Sequence, residues 1–128
     1  MSDYRVEYWT SSDGAAIASG RAGSGYPVLR IPAVAGQIES FRWDQLSDGF
    51  ETISYDRRGT GLSEAGAPMS RAELYIDDVQ AVIDGMSPRR FALVGSRFGA
   101  PEAIAIAARN PDRVSHLVLA APVLRVRD

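Results

Sequence analysis

The sequence has no cysteine and no lysine, and only one histidine, His116, among its 128 residues. Without cysteine there can be no disulfide, no thiol chemistry and no cysteine metal site, although this says little about compartment. All 14 basic residues are arginine and stand against 16 acidic ones, for a formal net charge of -2. That balance gives no electrostatic footprint for nucleic acid. The opening Met1-Ser2-Asp3-Tyr4-Arg5 lacks a basic and then apolar leader pattern, and no apolar run is long enough to span a bilayer. A cytoplasmic chain without a membrane role is the expectation. No zinc, P-loop or dinucleotide spacing occurs, so neither metal nor cofactor is expected.

What is present suits a single globular domain, 45% hydrophobic and 23% charged, without repeats or a dividing linker. Tyr4 to Trp9 and Ala15 to Ser19 are β-prone runs on either side of Ser11-Ser12-Asp13-Gly14, which reads as a hairpin. Gly20 to Pro27 reads as a loop, leading into a strand Val28 to Ile31 closed by Pro32. After the small-residue loop Ala33 to Gly36, the bulky Phe41, Trp43, Leu46 and Phe50 suggest a short irregular helix within Ile38 to Phe50. A fourth strand follows at Glu51 to Tyr55, then the turn-rich loop Asp56 to Ser63. Ser70-Arg71-Ala72-Glu73 fits a capping box for a helix whose apolar face is Ala72, Ile76, Val79, Val82, Ile83 and Met86, ended by Gly85 and Pro88. Two more elements complete the series: a helix from about Gly99 to Arg109, stopped by Asn110-Pro111, and an apolar strand from Val114 to Ala120. Strands alternating with helices after a hairpin predict an α/β fold, a mostly parallel six-stranded sheet with about three helices.

The stretch from Phe91 to Ala108 is the most informative. The strand Phe91-Ala92-Leu93-Val94 meets Gly95-Ser96-Arg97-Phe98-Gly99 and passes into an Ala/Ile-rich helix, which is the layout of a nucleophile elbow. Such a turn needs small residues two positions before and two after its apex. Gly95 and Gly99 meet that condition only for Arg97, whereas centring on Ser96 would put Val94 and Phe98 where side chains clash. Arginine stays protonated and is no nucleophile.

These residues together resemble the α/β-hydrolase superfamily over essentially the whole chain. The hairpin with SSDG, the D-x-R-G-x-G-x-S loop at Asp56 to Ser63, the elbow, and NPDRVSHLVLAAP at Asn110 to Pro122 carry the likeness. The wording looks most like hydrolase-like domains fused to bacterial nucleotide cyclases or helix-turn-helix regulators. By this resemblance the strands correspond to the first six of an eight-stranded sheet, making the chain a half-length domain, residues 1–128. The superfamily's acid and histidine come in loops beyond the sixth strand. His116 instead falls inside the final predicted strand, as a structural residue.

The resemblance implies that an oxyanion-type environment remains, with backbone N–H groups near Phe98 and Gly99 and one from the loop Ala33-Val34-Ala35. Arg97, Phe98, Ala33 and Val34 are therefore candidate ligand-binding residues for a small anion. The plainer alternative has Arg97 folding onto Asp56 or another acid, or reaching solvent. Asp56, Arg57 and Arg58 are read as shaping their loop, Asp77 and Asp78 as a solvated helix face rather than a metal pair, and Trp9 and Trp43 as packing residues.

The leading expectation is a non-catalytic binding, sensory or oligomerisation module. One alternative is a serine ester or lactone hydrolase completed by a second chain, with Ser96 as nucleophile. The other is a truncated hydrolase fragment. An uncovered strand at Val114 to Ala120 also predicts a homo-oligomer, or a partner chain that completes the sheet.

Overall fold

The computed structural model describes residues 4–33, 38, 39, 43, 49–66, 73–86 and 89–123. Six strands form one sheet: β1 (Arg5–Thr10), β2 (Ala16–Gly23), β3 (Tyr26–Ile31), β4 (Phe50–Tyr55), β5 (Phe91–Ser96) and β6 (Val114–Ala120). Their order is β1-β2-β4-β3-β5-β6. The β1/β2 and β2/β4 pairs are antiparallel, and β3/β4, β3/β5 and β5/β6 are parallel. This is the expected mostly parallel sheet behind a hairpin.

Two helices cover one face. Helix α1 (Glu73–Met86) buries Leu74, Val79, Val82 and Ile83, and α2 (Ala100–Arg109) buries Ala103 and Ile106. They close a core with Ile17, Leu29, Ile31, Ile53, Phe91 and Leu93. Successive strand residues point to opposite faces, so Val28, Ala92, Val94, His116 and Val118 line the other side, where they form a shallow apolar groove with Tyr26 and Phe50. On that face Trp43 is buried with Ala18 and Ile38, and Tyr4 stacks on it with ring centroids 5.2 Å apart. Trp9 packs against the helix-side core and donates through Nε1 to the Ser19 hydroxyl. Both tryptophans therefore pack.

Four details differ from the sequence reading. Gly20 to Gly23 belong to β2 rather than to a loop, because each pairs with β4 as far as Glu51, and the connection shrinks to Ser24-Gly25. Pro27 lies within β3 at a position where only β4 pairs, one residue before β5 joins, so its missing N–H is tolerated. Gly85 does not end α1 but lies inside it, where its bare Cα admits the Trp9 ring; a Cβ would come within 2.1 Å of it. Phe50 begins β4. The rest of the helix expected between Ile38 and Phe50, including Phe41 and Leu46, lies largely outside the described residues, as do Ser70, Arg71, Ala72 and Pro88. The helices described are α1, α2 and one 3₁₀ turn at Arg97–Gly99. Among the described residues, no helix is long and apolar enough to cross a membrane.

Candidate functional site

Strand β5 ends in extended geometry at Ser96, φ -127° and ψ 146°, and the chain turns sharply at Arg97, φ 51°. A left-handed conformation at a bulky residue is sparsely populated and marks a strained turn. It makes Arg97 the apex. The two small positions around it are used as the elbow requires. A Cβ on Gly95 would lie 2.6 Å from the Ala103 Cβ, and one on Gly99 would lie 3.1 Å from the Ile31 carbonyl oxygen. Neither strand nor helix leaves room for a side chain there.

Arg97 is exposed, and among the described residues its guanidinium makes no hydrogen bond or ion pair. It does not fold onto Asp56, whose carboxylate instead accepts the N–H groups of Ile38 and Leu62. The Arg97 carbonyl accepts from the N–H of Ala100 and from that of Val123, which brings the segment after β6 across the elbow. Phe98 is 59% exposed beside it. Ala33 follows the buried Pro32 at the corner after β3, and a Cβ added to Gly99 would lie 3.2 Å from the Pro32 carbonyl oxygen. Val34 and Ala35 lie outside the described residues.

His116 is distant from this turn. It pairs with Ala92, whereas Ser96 pairs with Ala120, four positions further along both strands, or about 13 Å at strand rise. Its Nδ1 lies 3.0 Å from the Ser115 hydroxyl and its ring faces the open groove. A base must reach the proton it removes, and His116 is out of reach of Ser96.

The loop after β4 holds what the sequence concealed. Adjacent arginines take partners on different elements. Arg58 donates to both oxygens of Asp78 on α1, at 2.8 and 2.6 Å, and to Asp13 in the hairpin turn. Ser11 also donates to Asp78. Asp78 is 1% exposed, so the expectation of a solvated face is wrong for it. A carboxylate is stable at that depth because Arg58 and Ser11 satisfy it. Asp77, the neighbour, does sit nearer the surface, pairing with Arg109 and accepting from Ser12. The hydrogen bonds that Arg58 donates to Asp78, then to Asp13, push its guanidinium above the ordinary range, and Arg58 in turn holds Asp13 down at about 2. Arg57 points the other way, donating to Glu102 on α2 and to the Pro32 carbonyl. Burial works against its charge, but the Glu102 hydrogen bond and carboxylate outweigh it and the guanidinium is held above its ordinary value. The double arginine itself was the available signal; its acidic partners Asp13, Asp78 and Glu102 lie 20 to 45 residues away, and the sequence does not say which acid faces which arginine.

Comparison with known proteins agrees with this geometry. The family described as serine aminopeptidase, S33, matches residues 34–128. The chain is 33% identical to epoxide hydrolase 3 of Xenopus tropicalis over 81 residues, which cover 62% of this chain and 22% of that protein. It is 38% identical to 2-(acetamidomethylene)succinate hydrolase of Mesorhizobium japonicum over 74 residues, 58% of this chain and 27% of the other. A solved hydrolase from Pseudomonas aeruginosa superposes with a TM-score of 0.82 at 24% identity, over 96% of this chain and 48% of that one, a likeness of fold. The chain thus spans well under half the length of the curated relatives it matches. With most of its length matched, it belongs to the serine aminopeptidase S33 family, and with that family to the α/β-hydrolase superfamily.

Proposed function

We propose that this domain is a non-catalytic, hydrolase-like binding module whose elbow offers Arg97 to a small anion, with a carboxylate as the favoured class. The observation carrying this reading is Arg97 itself, a positive charge at the strained apex, exposed and without a partner among the described residues. A nucleophile at that position would give acyl-transfer chemistry. A guanidinium instead supplies planar donors suited to a carboxylate. Nearby, the first turns of a helix carry N–H groups without intrahelical acceptors, and Phe98 and Ala33 form the remaining walls. The Mesorhizobium relative is named for a succinate compound, which fits a carboxylate as the ligand class.

The test is an acetate titration followed by amide chemical shifts. Saturable shifts at Arg97, Phe98 and Ala33 that vanish in Arg97→Ser are expected; shifts that persist in Arg97→Ser would refute the pocket. An ester panel runs beside it. Turnover lost in Ser96→Ala would move the assignment to a serine ester or lactone hydrolase completed by a second chain.

Assembly is the second reading, favoured by the exposure of Leu117 and Val118 on β6, a strand paired on one side among the described residues. Unpaired strand edges and apolar faces invite a further strand or chain. A second copy, or a partner completing the sheet at Val114 to Ala120, is the occupant proposed.

A further inference from the structure

We infer that Arg57 is the positioning residue of the elbow site, the group that holds the Pro32–Ala33 corner and the first turn of α2 at the spacing an anion beside Arg97 requires. This rests on the anion reading above. Arg57 makes contacts with three other parts of the chain. It projects from the loop after β4. Its Nη1 donates to both oxygens of Glu102 on α2, at 2.6 and 2.7 Å, and its Nη2 donates to the Pro32 carbonyl at 2.6 Å. Its guanidinium carbon lies 5.3 Å from the centre of the Tyr75 ring on α1.

These are the two walls of the proposed pocket. Pro32 immediately precedes Ala33, and Glu102 lies one helical turn beyond the elbow. The walls run close at Gly99, where an added Cβ would sit 3.2 Å from the Pro32 carbonyl oxygen. Gly99 therefore sets how closely they approach, and Arg57 keeps them there. A guanidinium fork suits the task because its donors are rigidly spaced, so two acceptors bound to it are fixed relative to each other. The Arg57 and Glu102 side chains are 13% and 14% exposed, so water screens the pair little.

Arg57 has an electrostatic task as well. Glu102 sits in the first turn of α2, where the helix dipole favours a negative charge. Unpaired, that carboxylate would repel an anion arriving at Arg97. Arg57 neutralises it, which leaves Arg97 to set the sign of the apex. A residue that only supported the fold would have no bearing on that sign.

The experiment uses the whole chain, acetate as probe, and two readouts: acetate affinity from amide shifts, and amide hydrogen exchange. Arg57→Met is expected to weaken acetate about tenfold, because the two walls lose their shared anchor and the Glu102 charge is left to repel the anion. It should also speed exchange at Phe98, Gly99 and Ala33 while β1 and β2 exchange as in wild type. Adding Glu102→Gln to Arg57→Met should recover part of the affinity, since it removes the repelling charge. Arg57→Met that binds acetate like wild type, or double-variant affinity no better than the single variant's, would overturn the inference. If wild type itself shows no acetate response, the anion reading fails, and exchange alone decides Arg57: selective loosening of the elbow upholds its positioning role, and a uniform change along the chain refutes it.

Discussion

At the scale of single residues, an arginine held at φ 51° costs about 1–2 kcal/mol relative to the right-handed region. Glycine avoids that cost but loses about 0.5–1 kcal/mol more through backbone entropy. Arg97→Gly is therefore expected to raise stability by up to about 1 kcal/mol, read from urea midpoints. Ser96→Gly, at an extended position, should lower it, and the reverse order would place the apex at Ser96 instead. The buried Arg58–Asp78 pair behaves differently. Asp78→Ala strands a guanidinium below the surface and is expected to cost about 3–5 kcal/mol. Asp13, at the exposed end of the same cluster, supplies a pH test. Its carboxyl titrates near 2 when folded, against an ordinary 3.8. The folded value is the lower one, so the contribution is fully present above about pH 5 and disappears as the pH falls through 3.8 towards 2. The stability gap between wild type and Asp13→Asn should close over that window; a gap unchanged at pH 2 would exclude the Arg58–Asp13 link.

At the scale of elements, the elbow depends on the absence of two side chains. Gly95→Ala would put a methyl 2.6 Å from the Ala103 Cβ, in a wall made of helix and strand. Overpacking of that kind costs about 1–3 kcal/mol. Gly99→Ala, whose nearest contacts are at 3.1 Å, should cost less, and thermal melts of both variants would show the order. The elbow could be found in the sequence because its glycine spacing reports local sterics directly, and that spacing alone picks Arg97 over Ser96. The strands were legible for a similar reason, since short apolar runs ended by Pro32 or Asn110-Pro111 carry their own boundaries. The extent of β2 was hidden because Gly20 to Gly23 look like a loop until β4 supplies partners. Asp78 was misread because helical periodicity assigns a charged residue to the wet side, and only the distant Arg58 and Ser11 reverse that. The Arg57 bridge to Pro32 and Glu102 was hidden likewise, as it joins segments 25 and 45 residues away.

At the scale of the whole molecule, the sheet has one covered face and one face with an open apolar groove at its β6 side. In solution, assembly through that region would appear as a mass above one chain in light scattering at micromolar concentration. Val118→Lys is expected to lower that mass, and a monodisperse monomer for wild type would count against it. The strand order has a further consequence. β3 sits between β4 and β5, so each parallel neighbour must come from a later part of the chain, β5 not before Phe91. Non-local pairing of this sort closes large loops before it gains contacts, and it slows folding. The hairpin of β1 and β2 can form early from local contacts, but its far side must wait for β4, and its Asp13 turn must wait for Arg58 and α1. During that interval β3 and β5 have exposed edges, which makes concentration during refolding, rather than native stability, the quantity that decides how much protein is recovered.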